Sequence, residues 1–348
     1  MKLSLTQKKP NEFYDSLPKV ELHRHLEGSL RFETVRELAR RHGMDLPATA
    51  ELRTLVQVQD DEPFTFENFL SKFTTLRLFY RSPEVIHRIT REAIEDAAAD
   101  NIRYMEMRFT PIALSRAEGF PLADVMDWVI DATKQAEEEF NIKTRLIASV
   151  NRHESPKLAA QVSYLAVDRM QAGIVGLDLA GDEYNFSAES FAEIFRAAKQ
   201  SGLGITIHAG EWNTGENVAQ AVELLQADRI GHGIRVIESQ KAIEMTRDRN
   251  TPFEVCITSN YQSGAVSNVD PHPITQMLAL GLNVTINTDD PSISQLTLSD
   301  EYRMACEVLE LSINNLKERV IAAAQAAFLP EDEKIELINA LQEEYLEY

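Results

Sequence analysis

Short apolar runs rich in valine and isoleucine alternate along the chain with longer stretches whose apolar residues recur every three or four positions. Eight short runs read as strands: 20–27 (VELHRHLE), 102–109 (IRYMEMRF), 144–151 (TRLIASVN), 174–181 (IVGLDLAG), 204–211 (GITIHAGE), 229–234 (RIGHGI), 253–260 (FEVCITSN) and 283–290 (NVTINTDD). Between them, segments such as SPEVIHRITREAIEDAAAD and SAESFAEIFRAAKQSG carry the spacing of amphipathic helices, with Ser or Asp near the start and Gly at the end of the second. Eightfold alternation predicts an α/β chain folded as a (β/α)8 TIM barrel of parallel strands joined by crossover helices.

In such a barrel the carboxyl ends of the strands converge on one mouth. The polar residues are sorted accordingly, since strand after strand begins in aliphatics and ends in His-x-His-x-Glu, Asp-x-Ala-Gly-Asp-Glu, His-Ala-Gly-Glu, Gly-His-Gly, Thr-Ser-Asn or Thr-Asp-Asp. Extra helices are expected after the first strand, at about 30–100, and in the Glu-rich tail 299–348. In the first of these, Phe66, Phe69, Leu70 and Phe73 form one apolar face that either packs on the barrel or acts as a lid excluding water from the mouth. No repeat or linker divides the chain, so residues 1–348 are expected to form a single domain.

Composition narrows the chemistry. With 55 acidic and 35 basic residues among 348, the formal net charge is -20, and a nucleic-acid backbone would meet repulsion over most of the surface. The polar start and the lack of any long apolar stretch argue against a leader or a membrane span, and the protein is expected in the cytoplasm. Nothing in the pattern points to an oligomeric state. Only Cys256 and Cys306 are present, so any metal must be held by histidine and carboxylate.

Period-two alternation puts His23 and His25 on one strand face, a pair that suits a metal or two strand-end histidines satisfied by hydrogen bonds. His208 ends the fifth strand and Asp289 the eighth. Together the four would hold one divalent ion and leave a position for water, as a catalytic site requires. Glu211 lies an odd number of residues from His208, and Gly210 can supply the bend that brings it beside the ion as a proton donor and acceptor. Asp289 and Asp290 pose the same problem; one can bind metal while the other faces substrate. His232, between glycines, could orient a water or take its proton. Asp178, inward among aliphatics, is expected to receive a hydrogen bond from a ligating histidine. His42, His87, His153 and His272 sit in loop or helix contexts and read as structural. No lysine ends any of the eight strands, which argues against a two-metal site bridged by a modified lysine, and no cysteine pair of the cytidine-deaminase kind is present.

The ordered motifs PKVELHRHLEGS, GLDLAGDE, ITIHAGE, RIGHGI, TSNYQSGAV and NVTINTDDPSI resemble those of the adenosine and adenine deaminases, within the metal-dependent amidohydrolases, over about Pro18 to Ser292. The resemblance implies a barrel with one zinc ion per chain and hydrolytic loss of the 6-amino group of a purine as ammonia. It makes His23, His25, His208 and Asp289 the zinc ligands. Glu211 would deliver a proton to purine N1, while His232 and Asp289 would position the water that attacks C6. The Gly181 amide would reach N3. Asp290 would face N7, a contact that requires a proton between them, so Asp290 is expected to be protonated or to share a proton when substrate is bound. His25 also belongs to the substrate wall, and Phe66, Phe69 and Phe73 correspond to the apolar gate beside the ribose.

Glu27 stands where adenosine deaminases usually carry the Asp associated with the ribose 5′-hydroxyl; adenine and aminodeoxyfutalosine deaminases tend to have Glu there. TSNYQSGAV in turn is similar to the bacterial adenosine deaminases. The expected substrates are adenosine and 2′-deoxyadenosine, converted to inosine and 2′-deoxyinosine in purine salvage, with adenine or aminodeoxyfutalosine as alternatives. A barrel that merely binds a nucleoside would need a missing chemical residue, and none is missing.

Overall fold

Residues 12–44 and 47–348 are described by a computed structural model. Its strands are β1 (Lys19–His25), β2 (Ile102–Phe109), β3 (Lys143–Asn151), β4 (Ile174–Ala180), β5 (Gly204–Ala209), β6 (Arg229–His232), β7 (Phe253–Val255) and β8 (Val284–Ile286). They pair in parallel in sequential order from β1 to β8. Helices alternate with them, which gives the expected (β/α)8 barrel. The seam between β8 and β1 closes by other means, because β8 leaves strand geometry after Ile286. The Asn287 side chain accepts from Leu22 N (2.8 Å), and beyond it the backbones of His25 and Asp289 (2.8 Å) and of Asp289 and His23 (2.9 Å) are hydrogen-bonded. That late pairing places Asp289 beside both histidines of β1.

The helices follow from their caps and apolar faces. Pro83–Ala99 begins at Ser82, whose hydroxyl accepts from Val85 N, and it buries Ile86, Ile89, Ala93 and Ala97. Phe66–Leu76 is capped by Thr65 in the same way. In the stretch expected as SAESFAEIFRAAKQSG, a short 3-10 turn precedes the helix Ala192–Gln200, which has no side-chain cap at its start.

The largest departure from the sequence reading is the run 253–260. Its strand stops at Val255, and Ile257–Gln262 is a helix carrying the Thr-Ser-Asn segment. Buried Glu301 accepts from the first amides of that helix, Ile257 N at 2.9 Å and Thr258 N at 3.1 Å, the groups a helix start leaves unsatisfied. β1, β4, β5, β6 and β8 also end before their expected limits, since the chain turns at the mouth where the polar residues lie.

Below the mouth the barrel interior is charged. Arg229 donates to Glu254 (2.6 Å) and Glu106 (2.5 Å), and Arg108 donates to Glu254 (2.7 Å). Phe328 covers the floor, 3.7 Å from the Arg229 guanidinium. Gly204 makes room for it, because a Cβ there would fall 2.4 Å from Phe328 Cγ. No helix among the described residues is long and apolar enough to cross a membrane.

Candidate active site

At the mouth, His25 Nε2 lies 3.3 Å from both His208 Nε2 and Asp289 Oδ1, and His23 Nε2 lies 3.2 Å from that same Asp289 oxygen. All four residues are buried or nearly so. Three imidazole nitrogens and a carboxylate oxygen therefore meet at one point. Zinc suits this donor set, and His23 Nε2 is a buried atom with no hydrogen-bond partner of its own, as a ligand nitrogen would be. A second grouping of His232, Cys256 and Asp289 suits it less, because burial pushes the Cys256 thiol well above its ordinary range and disfavours the thiolate a metal would need.

The far nitrogens of the imidazoles are held from behind. His208 Nδ1 donates to Asp178 Oδ1 (2.9 Å), the bond expected of that aspartate, and His23 Nδ1 donates to Glu254 Oε2 (2.8 Å). Burial pushes both carboxyls up, but the arginines overcome it. Arg108 and Arg229 hold Glu254 well below the usual range, and His208 and Arg108 hold Asp178 low. Gly231 leaves space for the rings, since a Cβ there would sit 3.1 Å from His23 Cε1 and 3.2 Å from His208 Cγ.

Two residues reach the mouth through left-handed backbone. His232 has φ +58° and Asp289 φ +67°, values that cost a non-glycine residue free energy and recur at functional sites. Alternation along β6 would turn His232 away from the interior that Gly231 faces; the backbone twist brings it back. Its Nε2 is 3.6 Å from Glu211 Oε2 and 3.9 Å from Asp289 Oδ2. Asn260 Nδ2 lies 3.1 Å from His232 Nδ1 and 3.3 Å from Glu211 Oε1, so a donating amide leaves the ring proton on Nε2. Burial drives His232 well below its ordinary pKa, and the ring is neutral.

Glu211 follows the bend at Gly210, φ +68°. The bend is fastened by Glu183, whose carboxylate accepts from Gly210 N (2.8 Å), Glu211 N (2.6 Å), Trp212 N (2.6 Å) and Asn213 N (3.0 Å). Burial, reinforced by Asp289 and Glu183, raises the Glu211 carboxyl well above its ordinary range and favours the acid form. Burial likewise raises Asp290, reinforced by Asp289 and Glu27. Asp290 Oδ1 is buried without a partner, and Gly28 is what lets it in, since a Cβ at 28 would meet that oxygen at 1.8 Å.

His25, His208, Glu211, His232, Asp289 and Asp290 line one narrow cavity whose other walls include Gly181, Glu27, Thr110 and the apolar residues Phe69, Leu70 and Phe73. Phe66 is not on that wall. It packs edge-on against Trp212, which is, with ring centroids 4.5 Å apart. Of the three expected gate residues, two face the cavity and the third backs it. The other histidines lie elsewhere: His272 Nδ1 accepts from Ile274 N at a helix start, and burial lowers its pKa to about 3.

Residues 18–344 match the family model for adenosine deaminase. The chain belongs to the adenosine deaminase family. An adenosine deaminase from Clostridium botulinum (strain Langeland) is 36% identical over 333 residues, covering 95% of this chain and 98% of that protein. Among solved structures, the adenine deaminase from Arthrobacter aurescens superposes with a TM-score of 0.88 at 29% identity, covering 96% of this chain and all of that one. A zinc-bound amidohydrolase from Burkholderia ambifaria gives a TM-score of 0.86 at 28% identity, covering 98% of this chain and 95% of that one. The protein is a zinc-dependent hydrolytic deaminase acting on small-molecule purines.

Several residues of this deaminase site had no assigned role in the sequence reading. Glu254 was visible as a lone acid in the aliphatic run FEVCI, and Glu183 as the last residue of GLDLAGDE. Ser259 donates to Asp289 Oδ2 at 2.6 Å, and Ser263 approaches Glu211 Oε1 at 3.4 Å. Ser259 belongs to the helix read as strand, and Ser263 follows directly on its last residue, Gln262. Arg77 carried no signal, since it stands at the end of no strand, and Trp212, one residue past the expected fifth strand, had no polar chemistry to mark it.

Proposed function

We propose that this enzyme hydrolyses adenosine and 2′-deoxyadenosine to inosine and 2′-deoxyinosine plus ammonia in the cytoplasm, with His23, His25, His208 and Asp289 holding one zinc ion. The observation that carries this reading is the buried Glu211, its carboxyl raised by burial, facing the same cavity as His25, His208 and Asp289 of the three-histidine, one-aspartate set. When bound, zinc supplies Lewis-acid activation of water at neutral pH.

The chain's own residues do the rest. Glu211 gives its proton to purine N1, which weakens the ring's aromaticity and makes C6 electrophilic. Neutral His232 donates from Nε2 to the attacking oxygen, and Asp289 Oδ2, fixed by Ser259, accepts from it. Asp290 in its acid form donates to N7, and the Gly181 amide serves N3. Phe69, Leu70 and Phe73 keep water from the sugar side. The buried, unpaired Cys256 and the free Cys306 suit a reducing compartment.

Adenosine is preferred over adenine because the relative at 36% identity is an adenosine deaminase, whereas the adenine deaminase is 29% identical. Ammonia release from adenosine, 2′-deoxyadenosine, adenine, 5′-AMP and aminodeoxyfutalosine tests this. Adenosine and 2′-deoxyadenosine are expected to lead. Consumption of adenine alone would refute the substrate and spare the chemistry.

A further inference from the structure

Arg77 opens the 3-10 turn Arg77–Phe79 that continues the lid helix Phe66–Leu76, and it lines the catalytic cavity. It is half-buried, its Nε is shielded from solvent without a hydrogen-bond partner, and no described carboxylate forms an ion pair with it. Its one charge-related neighbour in contact is the Phe73 ring, 5.8 Å from Cζ. A guanidinium left unpaired at a cavity wall has forgone the partners such groups normally take when water is removed.

The same end of the cavity holds a matching acceptor. Glu27 Oε1 is used by Thr110 N at 2.7 Å, but its Oε2 is buried with no partner. Arg77 and Glu27 lie close enough to act on each other electrostatically without touching. A donor and an acceptor that face one space and do not pair leave room for a group that is both. A hydroxyl fits, giving its proton to the carboxylate and accepting from the guanidinium. An anionic group does not, because it brings no proton for the unpartnered Glu27 oxygen to accept and is repelled by that carboxylate.

We propose that Arg77 is a specificity-determining residue that donates to the 5′-oxygen of the substrate ribose while Glu27 Oε2 accepts the hydroxyl proton, so that the enzyme selects neutral nucleosides with a free 5′-hydroxyl. This rests on the nucleoside reading above. It also gives the longer Glu27 a place there, with one oxygen tied to the backbone and the other, across from Arg77, left for the sugar.

The test compares kcat and KM for adenosine, 5′-deoxyadenosine and 5′-AMP in the zinc-loaded wild type and in Arg77→Met and Arg77→Lys, with adenine as the reference base. Arg77→Met is expected to lower kcat/KM for adenosine about 10- to 100-fold, mainly through KM, as for loss of one charged hydrogen bond. The same change should leave 5′-deoxyadenosine, already slow, within about twofold, since that substrate has no oxygen to lose. Arg77→Lys should recover part of the adenosine rate. Equal losses on both nucleosides, no loss on adenosine, or a wild type that prefers 5′-AMP would each overturn the Arg77 assignment and leave adenosine deamination standing. A wild type that takes adenine and ignores adenosine would overturn the nucleoside reading and this assignment with it. Melting temperatures of the variants are expected to stay near wild type, because Arg77 makes no ion pair with a described residue; if Arg77→Met fails to fold, Arg77→Gln gives the same comparison.

Discussion

Glutamine in place of Glu211 removes one transferable proton and little else. The side chain is 2% exposed, and Oε1 receives Asn260 Nδ2 at 3.3 Å and Ser263 Oγ at 3.4 Å, contacts an amide carbonyl accepts equally well. Burial, with Asp289 and Glu183 adding to it, favours the neutral acid in the wild type, so the substitution changes no charge near neutrality. The cost in folding should be within about 1 kcal/mol, since Oε1 keeps both its donors and the NH2 that replaces the acid hydroxyl belongs to a residue of the cavity wall. Zinc should stay, because Glu211 is not among its donors. General acid catalysis contributes roughly 10²- to 10⁴-fold, which at about 1.36 kcal/mol per decade is about 2.7–5.4 kcal/mol of barrier. The expected result is a fall of that size in kcat for adenosine with KM little changed, read by ammonia release on samples whose zinc content and melting temperature match wild type. The pH dependence has a definite sign: wild-type turnover persists below the raised Glu211 pKa and declines as pH rises through it, whereas the residual rate of the variant lacks that limb. A zinc-replete Glu211→Gln enzyme within tenfold of wild type would remove Glu211 from the proton transfer.

Two further substitutions probe the support of the site and the floor of the barrel. Asp178→Asn weakens the anchor of His208 and should lower zinc affinity about 10- to 100-fold in chelator competition; unchanged affinity would mean that the ring is oriented without Asp178. Gly204→Ala drives a Cβ to 2.4 Å from Phe328 Cγ and should cost about 1–3 kcal/mol in denaturant unfolding while kcat/KM of the folded enzyme holds; an unshifted midpoint would show that Phe328 moves freely aside.

The barrel was legible because its signal is local. Aliphatic strands and amphipathic helices repeat within windows of ten to twenty residues, and the polar ends of the strands announce the mouth. The run 253–260 misled for a physical reason: CITSN is strand-like by composition, and what makes it turn helical after Val255 is a carboxylate 44 positions away, Glu301, which satisfies its first amides. Phe66 shared the helix stripe of Phe69 and Phe73, but the stripe is wider than the cavity, and Trp212 stands between Phe66 and the site.

Residue types and their order along the chain were enough to indicate eight parallel strands, a metal held without cysteine, and histidine and carboxylate chemistry gathered at the strand ends. Which side chains meet, and in what state of protonation, depended on contacts between distant segments. Left-handed backbone at His232 and Asp289 re-aims two side chains against the alternation, Glu183 fastens the bend that carries Glu211, and Arg108 with Arg229 fixes the charge of Glu254 behind His23. Alternation along a strand is a short-range property of the backbone, whereas burial and charge neighbours exist only once the barrel has closed.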